Sequence, residues 1–311
     1  MTAVSGEAVS SERRGMLALI TVRPLIGIAV LCSLLTAHCS QPASAQAQEK
    51  KRPDILPDTT FPSAKDYFET LLADPNELGY GGTFLMPVGA DEFGEVTLGD
   101  YVGLLRWNLG DVGVQWNLGG GINARFNLST PQNEMEVVDF TAASPVDIHW
   151  GNYHTVRVGP WHTSSHLGDD YIKRVRPTIL KRSQDILKTV YSFQPNPQVR
   201  LYGGGSLAFN TVALPGRTAL QAGGEVLSPY FHGHLAQLYL AQDLQMWERV
   251  GWNPSYTIRA GVRFSDQKRI AAARCYVEYF TGRRLALQFY NQRETFWGLG
   301  LNFEIGNPTR Q

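Results

Sequence analysis

The chain has 311 residues, in which 28 basic and 28 acidic side chains give a formal net charge of zero. Only 18% of the residues are charged, which excludes a strongly acidic or basic disordered protein and predicts no nucleic-acid partner. No apolar run reaches the roughly 18 residues that a membrane-spanning helix requires, which excludes a multi-span helical membrane protein.

The amino-terminal residues 1–45 have the features of an export signal. Three arginines in the first 24 positions precede an apolar stretch at 25–37, which is too short to be a membrane anchor. Small residues at 43–45 fit a signal-peptidase site, so we predict cleavage near Ala45. Of the three cysteines only Cys275 would remain, which leaves no internal disulfide.

Residues 46–78 are a polar lead-in with a charge run at 49–52. We predict that they form an N-terminal segment on the periplasmic side of a membrane. Residues 79–311 then form the main domain.

From Tyr80 onward, apolar and polar residues alternate, and the pattern is clearest near the carboxyl end. There Trp297, Leu299 and Leu301 alternate with glycine and asparagine. A period of two places one residue set on each face of a β-strand. The pattern fits either a soluble sandwich with an apolar core or an outer-membrane barrel whose apolar face meets lipid.

The spacing of the strands favours the barrel. We place the connections at residues 87–93, 108–111, 129–136, 150–152, 167–178, 194–198, 210–217, 228–231, 241–253, 265–269 and 281–294. Odd connections are longer than even ones, as in barrels with short periplasmic turns and long outer loops. The sequence therefore predicts an all-β protein: a closed antiparallel transmembrane β-barrel of about 12 strands in the bacterial outer membrane.

Several details accompany this prediction. Gly298, Leu301 and Phe303 have the spacing of a barrel-assembly signal, so the expected partners are outer-membrane lipid and the barrel-assembly machinery. Pro145 and Pro160 fall within strands, and because proline cannot donate to the ladder we expect bulges there.

A histidine-rich motif lies in the fifth strand. His162, Ser164 and His166 alternate along the chain with the same parity as Val156 and Val158, which predicts that they face lipid near the outer leaflet. The motif resembles the His-x-Ser arrangement of outer-membrane phospholipase A and of the lipid A deacylases. That resemblance implies an esterase with Ser164 as nucleophile and His162 as base.

The orienting group of such a site is open at this stage. His166 or Asp169 is the expected orienter, because the asparagine that the phospholipase places on its next strand has no evident counterpart between 171 and 193. The chain also has serine at 165 where those enzymes have asparagine. The alternative interpretation is that these polar residues only form hydrogen bonds at the barrel rim.

Four segments resemble a bacterial family of exported proteins known only as a domain of unknown function and regarded as outer-membrane barrels. They are residues 71–75, 161–170, 201–205 and 298–302. The resemblance implies a location and a fold, and it implies no reaction.

Two further possibilities concern ions and solutes. Asp169 and Asp170 are candidate ligands for Ca²⁺ if the protein is a lipid hydrolase, and no other cofactor is indicated. The inward positions of the strands carry mixed charge, which fits a narrow small-solute channel. These positions are Arg125, Arg200, Glu225, Arg259, Arg263, Arg274 and Glu278.

Overall fold

The computed structural model of the protein describes residues 57–61, 67–89, 91–231, 235–266 and 271–305. The predicted export signal and its cleavage site near Ala45 lie outside these residues. In the described ranges, no helix is both long enough and apolar enough to span a membrane.

Antiparallel strands form a single sheet that closes on itself. They are β1 (Tyr80–Pro87), β2 (Phe93–Leu109), β3 (Val112–Asn127), β4a (Glu134–Ala143), β4b (Val146–Trp150), β5 (His154–Leu167), β6 (Arg182–Asn196), β7 (Val199–Val212), β8 (Thr218–Leu227), β9 (Ala236–Trp247), β10 (Pro254–Asp266), β11 (Ala271–Arg283) and β12 (Arg293–Ile305). Strands β4a and β4b share one position, and β12 pairs with β1. The predicted closed barrel of twelve strands is confirmed.

The two faces of the barrel differ as an outer-membrane location requires. On β12, the side chains of Trp297 and Leu299 are each 53% exposed on the outer surface. Facing the interior, Arg259 and Glu278 are only 7% and 2% exposed. Because lipid solvates apolar side chains and the interior holds the charges, the apolar residues lie outside and the polar residues inside.

The two ends of the barrel carry different connections. One end, here called the loop end, carries residues 88–89, 91–92, 128–133, 168–181, 213–217, 248–253 and 284–292. Among the described residues, the opposite turn end carries 110–111, 151–153, 197–198, 228–231 and 235. In outer-membrane barrels the end with longer connections faces outward.

The expected connection at 241–253 was wrong for its first half, because β9 continues to Trp247. The polar residues that resemble a loop in the sequence are buried inside the barrel. Asp243 is 1% exposed and Gln245 is 5% exposed, and the Gln245 amide donates to a carboxylate oxygen of Asp74 at 2.9 Å. A lumen-facing strand residue and a loop residue have the same polarity, so polarity alone did not separate them.

The expected bulges at the two prolines were also wrong. Pro145 interrupts the ladder between β4a and β4b, but the register is unchanged across the gap, from Ala143 opposite Trp161 to Val146 opposite Val158. Proline removes a hydrogen-bond donor without adding a residue, so the ladder is broken and not shifted.

Residues 67–79, here called the plug, run through the barrel interior. Phe68, Leu71 and Leu72 are buried there, although the sequence indicated a periplasmic segment over 46–78. Lumen arginines explain the difference, because they bind the plug backbone. Arg200 donates to the carbonyl oxygens of Glu69 and Thr70 at 2.9 and 2.6 Å.

The glycine run of β7 provides a test of barrel packing. A Cβ atom at Gly204 would collide with the backbone carbonyl of Thr189 on β6, whereas one at Gly203 would be 3.7 Å from its nearest neighbour. We expect Gly204→Ala to destabilise the barrel by about 1–3 kcal/mol, because the strands must move apart. Urea unfolding in detergent measures this, with Gly203→Ala as the matched control; equal midpoints for the two variants would contradict the packing.

Candidate functional site

A row of three polar side chains crosses the outer wall near the loop end. His162 on β5 lies directly opposite Asp185 on β6, and Asp185 lies opposite Asn210 on β7. The Nδ1 atom of His162 is 2.6 Å from Oδ1 of Asp185. The Asn210 amide donates to the other carboxylate oxygen at 2.7 Å. The imidazole is therefore held by a carboxylate that is itself held in place.

Ser164 lies two residues beyond His162 on the same face of β5. The next residue, Ser165, is buried, and its hydroxyl donates to Asp139 on the inner face. The predicted outward direction of the motif is thus confirmed. With Nδ1–H donating to Asp185, Nε2 of His162 carries the lone pair that can accept a serine proton.

The remaining predicted residues have other partners or lie in the following helix. The ring of His166 meets Phe140 edge-on, with 5.7 Å between the centroids. Asp169 begins a short helix, α1 (Asp169–Val175), and Asp170 accepts a hydrogen bond from Lys173 at 3.2 Å. The hydrogen-bond partner of the His162 imidazole is Asp185 and is not the expected His166 or Asp169.

Asp185 was not predicted as the orienting residue, because the phospholipase resemblance calls for an asparagine on this strand. It falls within the interval 171–193 in which no counterpart was found. A carboxylate can orient an imidazole as an amide oxygen can. Its position opposite His162 depends on the register of two strands joined by fourteen residues, 168–181, and alternation in the sequence does not fix that register.

The two predicted calcium ligands do not form a complete calcium site by themselves. In the part of the chain that the structure describes, no group of three or more His, Cys, Asp or Glu side chains could hold a metal ion. Asp169 and Asp170 alone provide too few of the six to eight oxygen ligands that Ca²⁺ takes. These two carboxylates therefore do not fit the ion.

An apolar surface surrounds the polar row. Large side chains on the neighbouring strands are 45–61% exposed on the same wall: Phe140, Leu187, Leu207 and Phe209. A hydrocarbon phase solvates such side chains, and water does not. The His162–Asp185 pair is thus accessible from the lipid side of the barrel.

The closed barrel, with its apolar outer wall and charged interior, defines an outer-membrane β-barrel protein. Residues 33–305 match the model of the family described as "Protein of unknown function (DUF1207)", and the chain belongs to that family. No curated protein matches the sequence.

Among solved structures, the fold is similar to that of outer membrane phospholipase A. The Escherichia coli protein matches with a TM-score of 0.50 and 15% identity over 73% of this chain and 92% of that one. The Salmonella typhi protein, a dimer with bound calcium, matches with a TM-score of 0.51 and 15% identity over 78% and 96%. At this identity the similarity shows the fold alone.

Proposed function

We propose that this outer-membrane barrel is a lipid esterase, with Ser164 as nucleophile, His162 as general base and Asp185 as the residue that orients the imidazole. One observation carries the proposal: the 2.6 Å hydrogen bond between His162 and Asp185 lies on the lipid-facing wall, with Ser164 on the same face. Asp185 is on the next strand, where the phospholipase resemblance calls for an asparagine.

The chemistry follows from these three groups. Ser164 Oγ attacks the ester carbonyl carbon while Nε2 of His162 takes the hydroxyl proton. The carbon–oxygen bond to the alcohol then breaks, and the imidazolium gives its proton to that alcohol. Water, deprotonated by the same imidazole, cleaves the acyl-serine and restores the hydroxyl. Asp185 stabilises the imidazolium in both halves of the cycle.

The position of the site favours an ester-linked lipid of the outer leaflet as substrate. His162 and Ser164 lie towards the loop-end terminus of β5, where an outer-membrane barrel meets the interface between acyl chains and headgroups. Lipid esters lie at this interface, and the apolar wall around the site matches acyl chains.

The channel alternative has less support. The plug residues Phe68 and Leu71 are buried inside the barrel, and the lumen arginines bind the plug backbone. A solute path through this interior would require the plug to move.

Ser164→Ala tests the proposal directly. We expect the release of fatty acid from phospholipid or lipopolysaccharide micelles to fall about 10³-fold or more, because the nucleophile is lost. The matched control is Ser165→Ala, which removes the adjacent hydroxyl on the lumen side. The assay is run once with Ca²⁺ and once with chelator. Equal rates for wild type and Ser164→Ala in both conditions would refute the proposal that the protein is an esterase.

A further inference from the structure

Most arginines inside the barrel have a carboxylate partner. The closest pairs include Arg157 with Asp147 at 2.7 Å and Arg200 with Glu225 at 2.5 Å. The others that are ion-paired are Arg125, Arg259, Arg263, Arg274 and Arg284. Pairing is the expected state, because an isolated buried charge is costly.

Arg249 and Arg283, at the loop end, are different. Neither forms an ion pair with any residue in the described ranges. Arg249 donates to the side-chain oxygen of Gln184 at 2.7 Å and stacks on Trp247, with Cζ 4.1 Å from the ring centroid. Arg283 donates to the backbone oxygen of Asn291.

Each of these two arginines also has a polar atom with no partner. Nη1 of Arg249 and Nε of Arg283 are shielded from solvent and make no hydrogen bond. Burial lowers the pKa of Arg249 to about 10, so its charge is poorly compensated. Two arginines that have no carboxylate partner and that retain unused hydrogen-bond donors form an arrangement that can bind an anion.

Both arginines line one cavity of about 120 Å³ between the plug and the loop-end connections. The carboxylates that line this cavity lie near the plug or already have an ion-pair or hydrogen-bond partner. Asp74 lies 3.5 Å from Lys188 Nζ, and Asp139 accepts a hydrogen bond from the Leu287 amide at 3.1 Å. Glu77 belongs to the plug itself. The free positive charge is therefore at the loop end of the cavity.

We propose that this cavity binds a small soluble anion bearing a phosphate or carboxylate group, through Arg249 and Arg283. The volume suits an anion of a few heavy atoms. The cavity lies inside the barrel wall and below the loop-end connections. The ligand therefore enters from the aqueous side, and the headgroup of a membrane lipid does not reach the cavity. This site is separate from Ser164, which faces the outer wall.

Calorimetric titration of the full-length protein in detergent tests the site, with sodium phosphate and sodium citrate as probes. We expect saturable binding of at least one probe. Arg249→Gln and Arg283→Gln should each weaken that binding about tenfold or more, as expected when a charged hydrogen-bond donor is lost. Arg293→Gln, which changes an exposed arginine at the start of β12, should leave the affinity unchanged.

Two results would overturn the proposal: no saturable binding of either anion by wild type, or the same affinity in both cavity variants as in wild type. The altered mobility of folded barrels in unheated gels shows whether each variant is folded. Binding does not depend on Ser164, so Ser164→Ala should bind the anion normally even if the esterase proposal fails.

Discussion

Asp185→Ala is expected to lower the kcat of ester hydrolysis by about 10³–10⁴-fold, the scale seen when the orienting carboxylate of a serine triad is disabled. The imidazole of His162 would lose the 2.6 Å hydrogen bond that fixes its tautomer, and the imidazolium would lose its counter-charge. KM should change little, because Asp185 contacts His162 and Asn210 and lies away from an acyl chain bound near Ser164. Initial rates over a range of lipid concentrations separate the two constants.

The conservative variant Asp185→Asn tests whether Asp185 orients the imidazole of His162 or only supports the local structure. Its amide oxygen can still accept the Nδ1–H of His162, and Asn210 can reverse its own amide to accept from the new nitrogen. We expect it to retain more activity than the alanine variant. Asp170→Ala, which removes an exposed carboxylate from α1, is the control, and a loss as large there as in Asp185→Ala would contradict the assignment.

Arg200→Ala is expected to destabilise the barrel by about 3–5 kcal/mol, which is the largest effect on stability that we predict. Arg200 is 1% exposed, and it binds Glu225 and two plug carbonyls. Its removal leaves Glu225 as an uncompensated buried charge. Urea unfolding in detergent, followed by tryptophan fluorescence, measures the change against Arg293→Ala, an exposed control.

A double variant separates the cost of the orphaned charge from the value of the ion pair. Arg200→Leu combined with Glu225→Leu removes both charges, and replacement of a buried pair by apolar residues is often neutral. We expect it to regain much of the stability that Arg200→Ala loses. It still lacks the hydrogen bond from the Leu72 amide to Glu225, 2.8 Å long, so recovery should be incomplete. A double variant less stable than the single one would contradict this account.

The period-two pattern predicted the strands well because successive side chains of a strand face the lumen and the lipid in turn. Trp297 and Leu299 were placed on one face by parity alone, and both are exposed on the outer wall. The same parity placed His162 and Ser164 on that wall and Arg259 inside. It failed at the end of β9, where Asp243 and Gln245 face the lumen but resemble loop residues.

The sequence by itself determined the barrel class, the number of strands and the outward direction of the His-x-Ser motif, because these depend on local alternation and turn spacing. Only the tertiary structure decided which residue holds His162 and where the plug lies. The contact between His162 and Asp185 depends on cross-strand register, and the plug depends on lumen arginines far along the chain, such as Arg259 with the Leu72 carbonyl. Contacts between residues distant in the chain leave no period in the sequence, so only the pairing of the strands and the packing of the plug bring them together.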